Sequence, residues 1–210
     1  MPVSGRPGVP PLGVLGCAYL AGSVPAANLA ARWLRGVDLR AVGPGTVSGS
    51  ALYTVAGFGP LAVVGCLELA KGAVGPLLAG RSRPLLGAAA AAAGIVGHNW
   101  SPWLGLRGGR GVSLALGASL VLAPEGLAVL AAGLGLGRLV RQTGVGTFLA
   151  LVVYPLVLAV RRGRRGLAAG ATIVTPVLVK RVLGNDSRIP ATWPARLCRL
   201  VADHDPEGTA

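Results

Sequence analysis

Residues 85–122 read LLGAAAAAAGIVGHN (Leu85–Asn99), WSPWLGLRGGRG (Trp100–Gly111) and VSLALGASLVL (Val112–Leu122), two uncharged apolar runs joined by a glycine-rich loop carrying Arg107 and Arg110. A helix crosses about 30 Å of hydrocarbon with about 20 apolar residues, and these runs are short relatives of that pattern. Working outward, the same alternation of apolar run and cationic junction fills the chain. Further runs lie at roughly Pro11 to Trp33, Ala51 to Ala70, Gly126 to Leu136, Val145 to Val160 and Leu167 to Val179, with a half-length piece at Gly72 to Gly80. The fold class predicted is all-α, a polytopic membrane helix bundle of about seven spans, some tilted, broken or re-entrant. Non-helical backbone inside the bilayer is expected only where protein buries it or water lines it.

Composition agrees. Of 210 residues, 52% are hydrophobic and 13% charged, and the mean hydropathy is +0.64. A disordered chain needs low hydropathy, and an ordinary soluble domain carries about twice this share of charge. The net charge of +13 comes from 20 Lys+Arg, all arginine except Lys71 and Lys180. In so apolar a chain that excess points to anionic membrane lipids and the positive-inside rule, and nucleic acid is set aside as a partner. Cys17, Cys66 and Cys198 stand far apart with no His or Cys at ligand spacing, so neither a disulfide framework nor a metal site is indicated. Val14-Leu15-Gly16-Cys17 only faintly resembles a lipoprotein cleavage box, and Cys17 reads as a small residue inside the first span.

Residues 1–184 read as the membrane domain and 185–210 as a mobile or surface-lying cytoplasmic tail. That tail contains Pro190, Pro194, Pro206 and an amphipathic patch at Ala195 to Val201. Cations occur at nearly every junction, so the positive-inside rule returns no unique topology. The loops 35–50 and 99–111 are read as cytoplasmic, with Arg161, Arg162, Arg164 and Arg165 as the strongest inside vote. The protein is thus expected in the cell membrane, multi-pass. Alanine at 88–93 and glycine at 133, 135 and 137 allow helix backbones to approach closely, which is a statement about packing alone.

The chemistry must come from the loops. In Arg107-Gly108-Gly109-Arg110-Gly111, glycines let successive N–H groups turn toward one point beside a guanidinium, at the start of an apolar helix. Such a nest suits phosphate or carboxylate, while a basic loop touching lipid headgroups has the same composition. His98 and Asn99 precede it, and with no carboxylate in sequence reach His98 either meets a phosphate or satisfies a carbonyl in the bundle. The only other histidine is His204 in the tail, so histidine-based catalysis has few places to act. A second polar, glycine-rich loop spans residues 36–50, with Arg40, Gly43, Gly45, Thr46, Ser48 and Ser50; it binds an oxyanion or simply turns a corner.

Four segments resemble, in the same order, signatures of the acyl-phosphate:glycerol-3-phosphate acyltransferase family of the PlsY type. Gly22-Ser23-Val24-Pro25 resembles G-S-I-P, and Gly36-Val37-Asp38-Leu39-Arg40-Ala41-Val42-Gly43 resembles G-[IV]-D-[IL]-R-x-V-G. Glu68-Leu69-Ala70-Lys71-Gly72 resembles D-x-x-K-G. Gly97-His98-Asn99 through Arg107-Gly108-Gly109-Arg110-Gly111-Val112 resembles the family's G-H-N motif and its K-G-G-K-G-V loop, with arginine for both lysines. The resemblance implies a seven-span bundle with cytoplasmic active loops. It also implies transfer of an acyl group from acyl phosphate to the sn-1 hydroxyl of glycerol 3-phosphate, giving lysophosphatidic acid and phosphate, without cofactor, metal or CoA. The substrate-binding residues it suggests are Ser23, Arg40, Gly43, Gly45, Ser48, Ser50, His98, Asn99, Arg107, Gly108, Gly109, Arg110, Gly111 and Lys180; no catalytic residue is assigned.

This chain departs from the pattern at identifiable places. Thr54 stands where the first signature has an arginine, Arg138 to Gly144 keeps little of R-Y-x-S-L-x-S, and Thr175 to Leu183 keeps only the basic pair Lys180-Arg181 of H-R-E-N-I-K-R-L-L. Two readings follow. One is an acyltransferase with replacement contacts from Ser48, Ser50 and Arg141. The other is a non-catalytic relative that binds or transports an anionic lipid or phosphorylated metabolite. In the first, the reaction is expected to lack a side-chain base, with a substrate phosphate taking the proton, and His98→Gln to retain most activity.

Overall fold

The structure, a computed structural model, describes residues 9–43, 45–185 and 192–203. Among these the regular elements are helices: α1 (Pro11–Ser23), α2 (Ala26–Arg35), α3 (Gly49–Ala56), α4 (Phe58–Ala79), α5 (Pro84–Asn99), α6 (Val112–Leu122), α7 (Pro124–Leu139), α8 (Thr143–Leu183) and α9 (Trp193–Ala202), with 3-10 turns at Leu39–Ala41 and Pro102–Leu104. Three stretches are long and apolar enough to cross a membrane: Pro11–Arg35, Phe58–Ala79 and Thr143–Leu183. Within α8 the backbone reverses at Gly163 (φ 62°, ψ −152°). Beyond it Gly170 packs so closely on Pro155 that a Cβ would lie 2.7 Å from the Pro155 Cα. That stretch is therefore a hairpin of two antiparallel helices, and the all-helical bundle expected from the sequence is present.

Packing is that of a protein dissolved in lipid. The largest buried cluster mixes alanines (Ala88, Ala91, Ala115, Ala118) with Leu114, Leu151, Tyr154 and Ile173, while Leu12, Val63, Leu77, Leu136 and Val160 lie exposed on the outside. With no hydrophobic force to press helices together inside a bilayer, close backbone approach supplies the contact. Helices α4 and α6 do this reciprocally: Gly72 lies under the Leu114 backbone and Gly117 under the Leu69 backbone, each with no room for a Cβ. Deep in the bundle the Tyr154 hydroxyl and Ser119 Oγ meet at 2.9 Å, so neither polar group is left unpaired.

Four expectations need correction. The run Ala51 to Ala70 is not one span, because Gly57 (φ 81°) ends α3 and the helix restarts at Phe58. Pro60 then falls in the first turn of α4, where its missing N–H costs nothing. The piece Gly72 to Gly80 is the end of α4, up to Ala79 and its capping Gly80. The Arg161–Arg165 cluster lies at the opposite end of the bundle from loop 99–111. Arg162 binds Glu125 and the Leu122 carbonyl at the far end of α6, whereas loop 99–111 leads into the start of α6 at Val112. The two cannot both be inside votes. Finally, the tail is docked where described: Arg199 of α9 is buried, and Gly144 sits directly against the Ala202 backbone. His204, Pro190 and Pro206 fall outside the described residues.

Candidate active site

The site begins where proline interrupts a helix. Pro25 has no N–H to continue the ladder of α1, so α2 starts afresh at Ala26 and the last carbonyls of α1 need other donors. Ser101 Oγ donates to the Ser23 carbonyl at 2.7 Å, and Lys71 Nζ to the Val24 carbonyl at 2.6 Å. Ser23 Oγ donates to the Leu20 carbonyl and accepts from Trp103 Nε1 at 3.1 Å. One break in α1 thereby gathers α4 and the 100–111 loop around it.

Lys71 does not stand alone. Its Nζ lies 2.9 Å from both carboxylate oxygens of Glu68, one turn back on the same face of α4. His98 Nδ1, at the end of α5, is 3.2 Å from Glu68 Oε2. The Glu68 side chain is only 7% exposed. A buried carboxylate is tolerated in such surroundings when paired and hydrogen-bonded on several sides, as here. The partner His98 lacks in neighbouring sequence is thus supplied from a different helix.

The glycine loop caps α5. The N–H groups of Gly108 and Gly109 donate to the Asn99 and His98 carbonyls, each at 3.2 Å. They therefore serve the end of α5, and the expected convergence of these N–H groups on an anion is not formed. Nor do Gly108 and Gly109 need a left-handed backbone; they are glycine because a Cβ at Gly108 would run into the His98 carbonyl and one at Gly109 into His98 Nε2. Gly111 alone of the three takes φ 73°, as the residue that opens α6.

Around this centre the remaining cations are braced. Arg110 forms an ion pair with Asp203 and also donates to the Asp203 carbonyl. Arg181 Nε reaches the same carboxylate at 3.1 Å. Lys180 Nζ donates to the Leu106 carbonyl and lies 5.1 Å from the centre of the Trp100 ring. Asn99 Nδ2 donates to the Pro176 carbonyl at 2.8 Å, and Asn185 Nδ2 to the Gly108 carbonyl at 2.9 Å. On the 36–50 loop, Arg40 grips Asp38 at 2.7 Å and touches the Leu104 carbonyl. The Arg40 guanidinium, through that hydrogen bond, holds the Asp38 carboxyl down at about 2.

A cleft of about 210 Å³, its open mouth included, lies among these groups, lined by Ser23, Val24, Pro25, Val47, Glu68, His98, Ser101, Leu104, Gly108 and Gly109 with Gly22 and Ala27. Of the residues expected from sequence, Ser23, His98, Gly108 and Gly109 line it. Arg40, Asn99, Arg110, Gly111 and Lys180 form its surroundings. Ser48 instead caps α3 through the Ala51 N–H; Ser50, Arg107 and Arg141 are exposed; and Gly43 and Gly45 turn the chain with positive φ. Thr175 is exposed and donates within its own helix. Sequence reasoning missed Glu68 with its partner Lys71, and Ser101, as groups at the cleft, and Asp203 as the partner of Arg110. A signal for the first two was present, an i,i+3 charged pair inside an apolar run.

Comparison with known proteins gives concordant matches. The family described as Glycerol-3-phosphate acyltransferase matches residues 12–190. The chain is 34% identical to a glycerol-3-phosphate acyltransferase of Synechococcus sp. (strain CC9902), over 88% of this chain and 94% of that protein. It is 41% identical to one of Myxococcus xanthus (strain DK1622), over 79% of each. Among solved structures it is similar to PlsY (YgiH), an integral membrane glycerol 3-phosphate acyltransferase, in its glycerol 3-phosphate form. The TM-score is 0.72 at 26% identity, covering 81% of this chain and 88% of the other.

Proposed function

Because the chain belongs to the glycerol-3-phosphate acyltransferase family, we propose that it catalyses, in the membrane, transfer of an acyl group from acyl phosphate to glycerol 3-phosphate, a step of phospholipid synthesis. The observation that carries this is convergence. Three of the four signature-like segments, distant in sequence, line one cleft through Ser23, Glu68, His98, Gly108 and Gly109. The fourth braces it through Arg40 on Leu104.

The chemistry asks little beyond these groups. The acceptor hydroxyl attacks the acyl carbonyl, a tetrahedral oxyanion forms, the carbon–oxygen bond to phosphate breaks, and lysophosphatidic acid and inorganic phosphate leave. Both substrates carry phosphate, which guanidinium and ammonium groups such as Arg110 and Lys180 hold by charge-assisted hydrogen bonds. Donors fixed at the oxyanion contribute on the order of 3 kcal/mol each to lowering the barrier. The acyl chain lies toward the apolar outer face of the bundle.

Residues 1–184 are assigned to the membrane domain and 185–210 to a tail, whose described helix α9 packs against the site end. That end faces the cytoplasm, since its eleven cations (Arg32, Arg35, Arg40, Arg107, Arg110, Arg138, Arg141, Lys180, Arg181, Arg196 and Arg199) outnumber the six at the other, Arg81, Arg83, Arg161, Arg162, Arg164 and Arg165. In a variant without native cysteines, a membrane-impermeant thiol reagent added to intact cells should label Arg81→Cys and spare Arg107→Cys. The reverse pattern overturns the orientation. For the activity, purified protein with labelled glycerol 3-phosphate and acyl phosphate should yield labelled lysophosphatidic acid. Bound glycerol 3-phosphate with no turnover would assign the chain to the non-catalytic class.

A further inference from the structure

We propose that Asp203, carried by α9, is a built-in occupant of the seat that Arg110 and Arg181 offer to a substrate phosphate, so that α9 must lift before the phosphate binds there. This rests on the reading of Arg110 as a phosphate-binding group in acyl transfer.

The geometry is that of an internal competitor. Arg110, from the glycine loop, and Arg181, near the end of α8, pair with the same carboxylate, and Arg110 also donates to the Asp203 carbonyl at 2.8 Å. The Arg110 and Arg181 side chains are 14% and 1% exposed, whereas that of Asp203 is 30% exposed. The two cations are thus built into the bundle, and the anion reaches them from its surface. Two guanidiniums held together away from water need a counterion. The carboxylate meets that need incompletely, because Arg181 Nη1 is buried and has no hydrogen-bond partner among the described residues. A phosphate brings more negative charge and three strong acceptor oxygens to the same pair. Being anions, the carboxylate and the phosphate exclude each other from it.

The element that brings the carboxylate is an addition to the bundle. Helix α9 begins at Trp193, beyond residues 12–190 that match the family. It rests on both arms of the α8 hairpin. Gly144, at the start of the first arm, lies under the Ala202 backbone, and Gly184, just after the second, lies against the Arg199 guanidinium. Asp203 is the residue that caps the end of α9. Undocking the last turn of this one helix therefore withdraws the carboxylate and leaves Arg110 and Arg181 where they are, since Arg181 stays tied to the Gly144 carbonyl.

The test compares the full chain as parent, Asp203→Asn and Gly144→Ala by calorimetric affinity for glycerol 3-phosphate and inorganic phosphate, and by steady-state kinetics. Asp203→Asn keeps the shape of the side chain and removes its charge. Gly144→Ala leaves every cation in place and drives a Cβ into the Ala202 carbonyl, which pushes α9 off. A ligand's apparent affinity falls in proportion to the fraction of molecules with an open seat. If that fraction is about a third to a tenth, both variants should bind glycerol 3-phosphate about 3- to 10-fold more tightly. KM should fall with it while kcat stays within about twofold. In the parent, saturating glycerol 3-phosphate should speed hydrogen exchange across residues 193–203. A merely structural tie would give lower stability without tighter binding. Unchanged affinity in the two variants overturns the proposal, and so does weaker binding, which would make Asp203 a brace that positions Arg110 for phosphate. Should one variant fail to fold, the other and the hydrogen exchange of the parent decide, and α9 amides that slow or stay the same with ligand also overturn it. A parent that binds glycerol 3-phosphate, releases α9 and turns nothing over instead sinks the acyl-transfer reading and leaves this one standing.

Discussion

Gly109→Ala adds one methyl group where the loop, α5 and residue 47 meet. The new Cβ would stand 2.6 Å from the Val47 carbonyl oxygen, 3.0 Å from His98 Cδ2 and closer still to His98 Nε2. Ordinary contacts need about 3.5 Å, so the loop must move by roughly 1 Å or the ring must leave its position. Moving the loop stretches two hydrogen bonds that are already 3.2 Å long, from Gly108 and Gly109 to the end of α5. Each is worth about 0.5–1.5 kcal/mol, and a 1 Å misplacement around a substrate cleft costs on the order of 10²-fold in rate. The expected outcome is a 10- to 100-fold lower rate of lysophosphatidic acid formation in a protein that still elutes as the parent does. Gly135→Ala, which meets nothing within 4 Å, is the control and should be silent. A Gly109→Ala rate within twofold of the parent would show that the close approach has no functional weight and refute the steric argument.

Arg110→Ala should weaken binding of inorganic phosphate or glycerol 3-phosphate by about 1.5–3 kcal/mol, the range for hydrogen bonds to charged groups; unchanged calorimetric affinity would reduce the loop to a lipid-headgroup contact. Tyr154→Phe removes the buried hydroxyl bonded to Ser119, and should cost about 0.5–1.5 kcal/mol, seen as a fall of a few degrees in Tm with activity kept. Asp38 titrates in the fold at about 2 instead of its ordinary 3.8, so its pairing with Arg40 stabilises fully above pH 4 and fades as pH falls toward 2. The Tm difference between parent and Asp38→Asn should shrink over that interval, and a constant difference would show that the pairing is not what distinguishes them.

The apolar runs were legible because hydrocarbon imposes a length and a composition, and most of the helices begin and end near where those runs do. The second run misled because Gly57 breaks a helix without breaking hydropathy. Arg161 to Arg165 misled because a charge count carries no information on which end of a bundle a hairpin turn reaches. At the site, His98, Gly108 and Gly109 were visible as local pattern, although the reason for the two glycines was not: it is a neighbour's imidazole and carbonyl oxygen, not their own dihedrals. Glu68 was quoted only as a motif letter, since its tie to His98 crosses 30 positions of chain. Asp203 lay hidden in a tail whose composition gave no hint of docking.

The pairing of Arg110 with Asp203 has a consequence in time. The partners are 93 positions apart, and between them the chain must build α6, α7, both arms of the α8 hairpin and α9. At about 5–20 residues per second of synthesis, Asp203 is made roughly 5–20 s after Arg110 is. During that interval the Asp203 carboxylate does not yet exist. Completion of this ion pair is therefore among the last events of biogenesis.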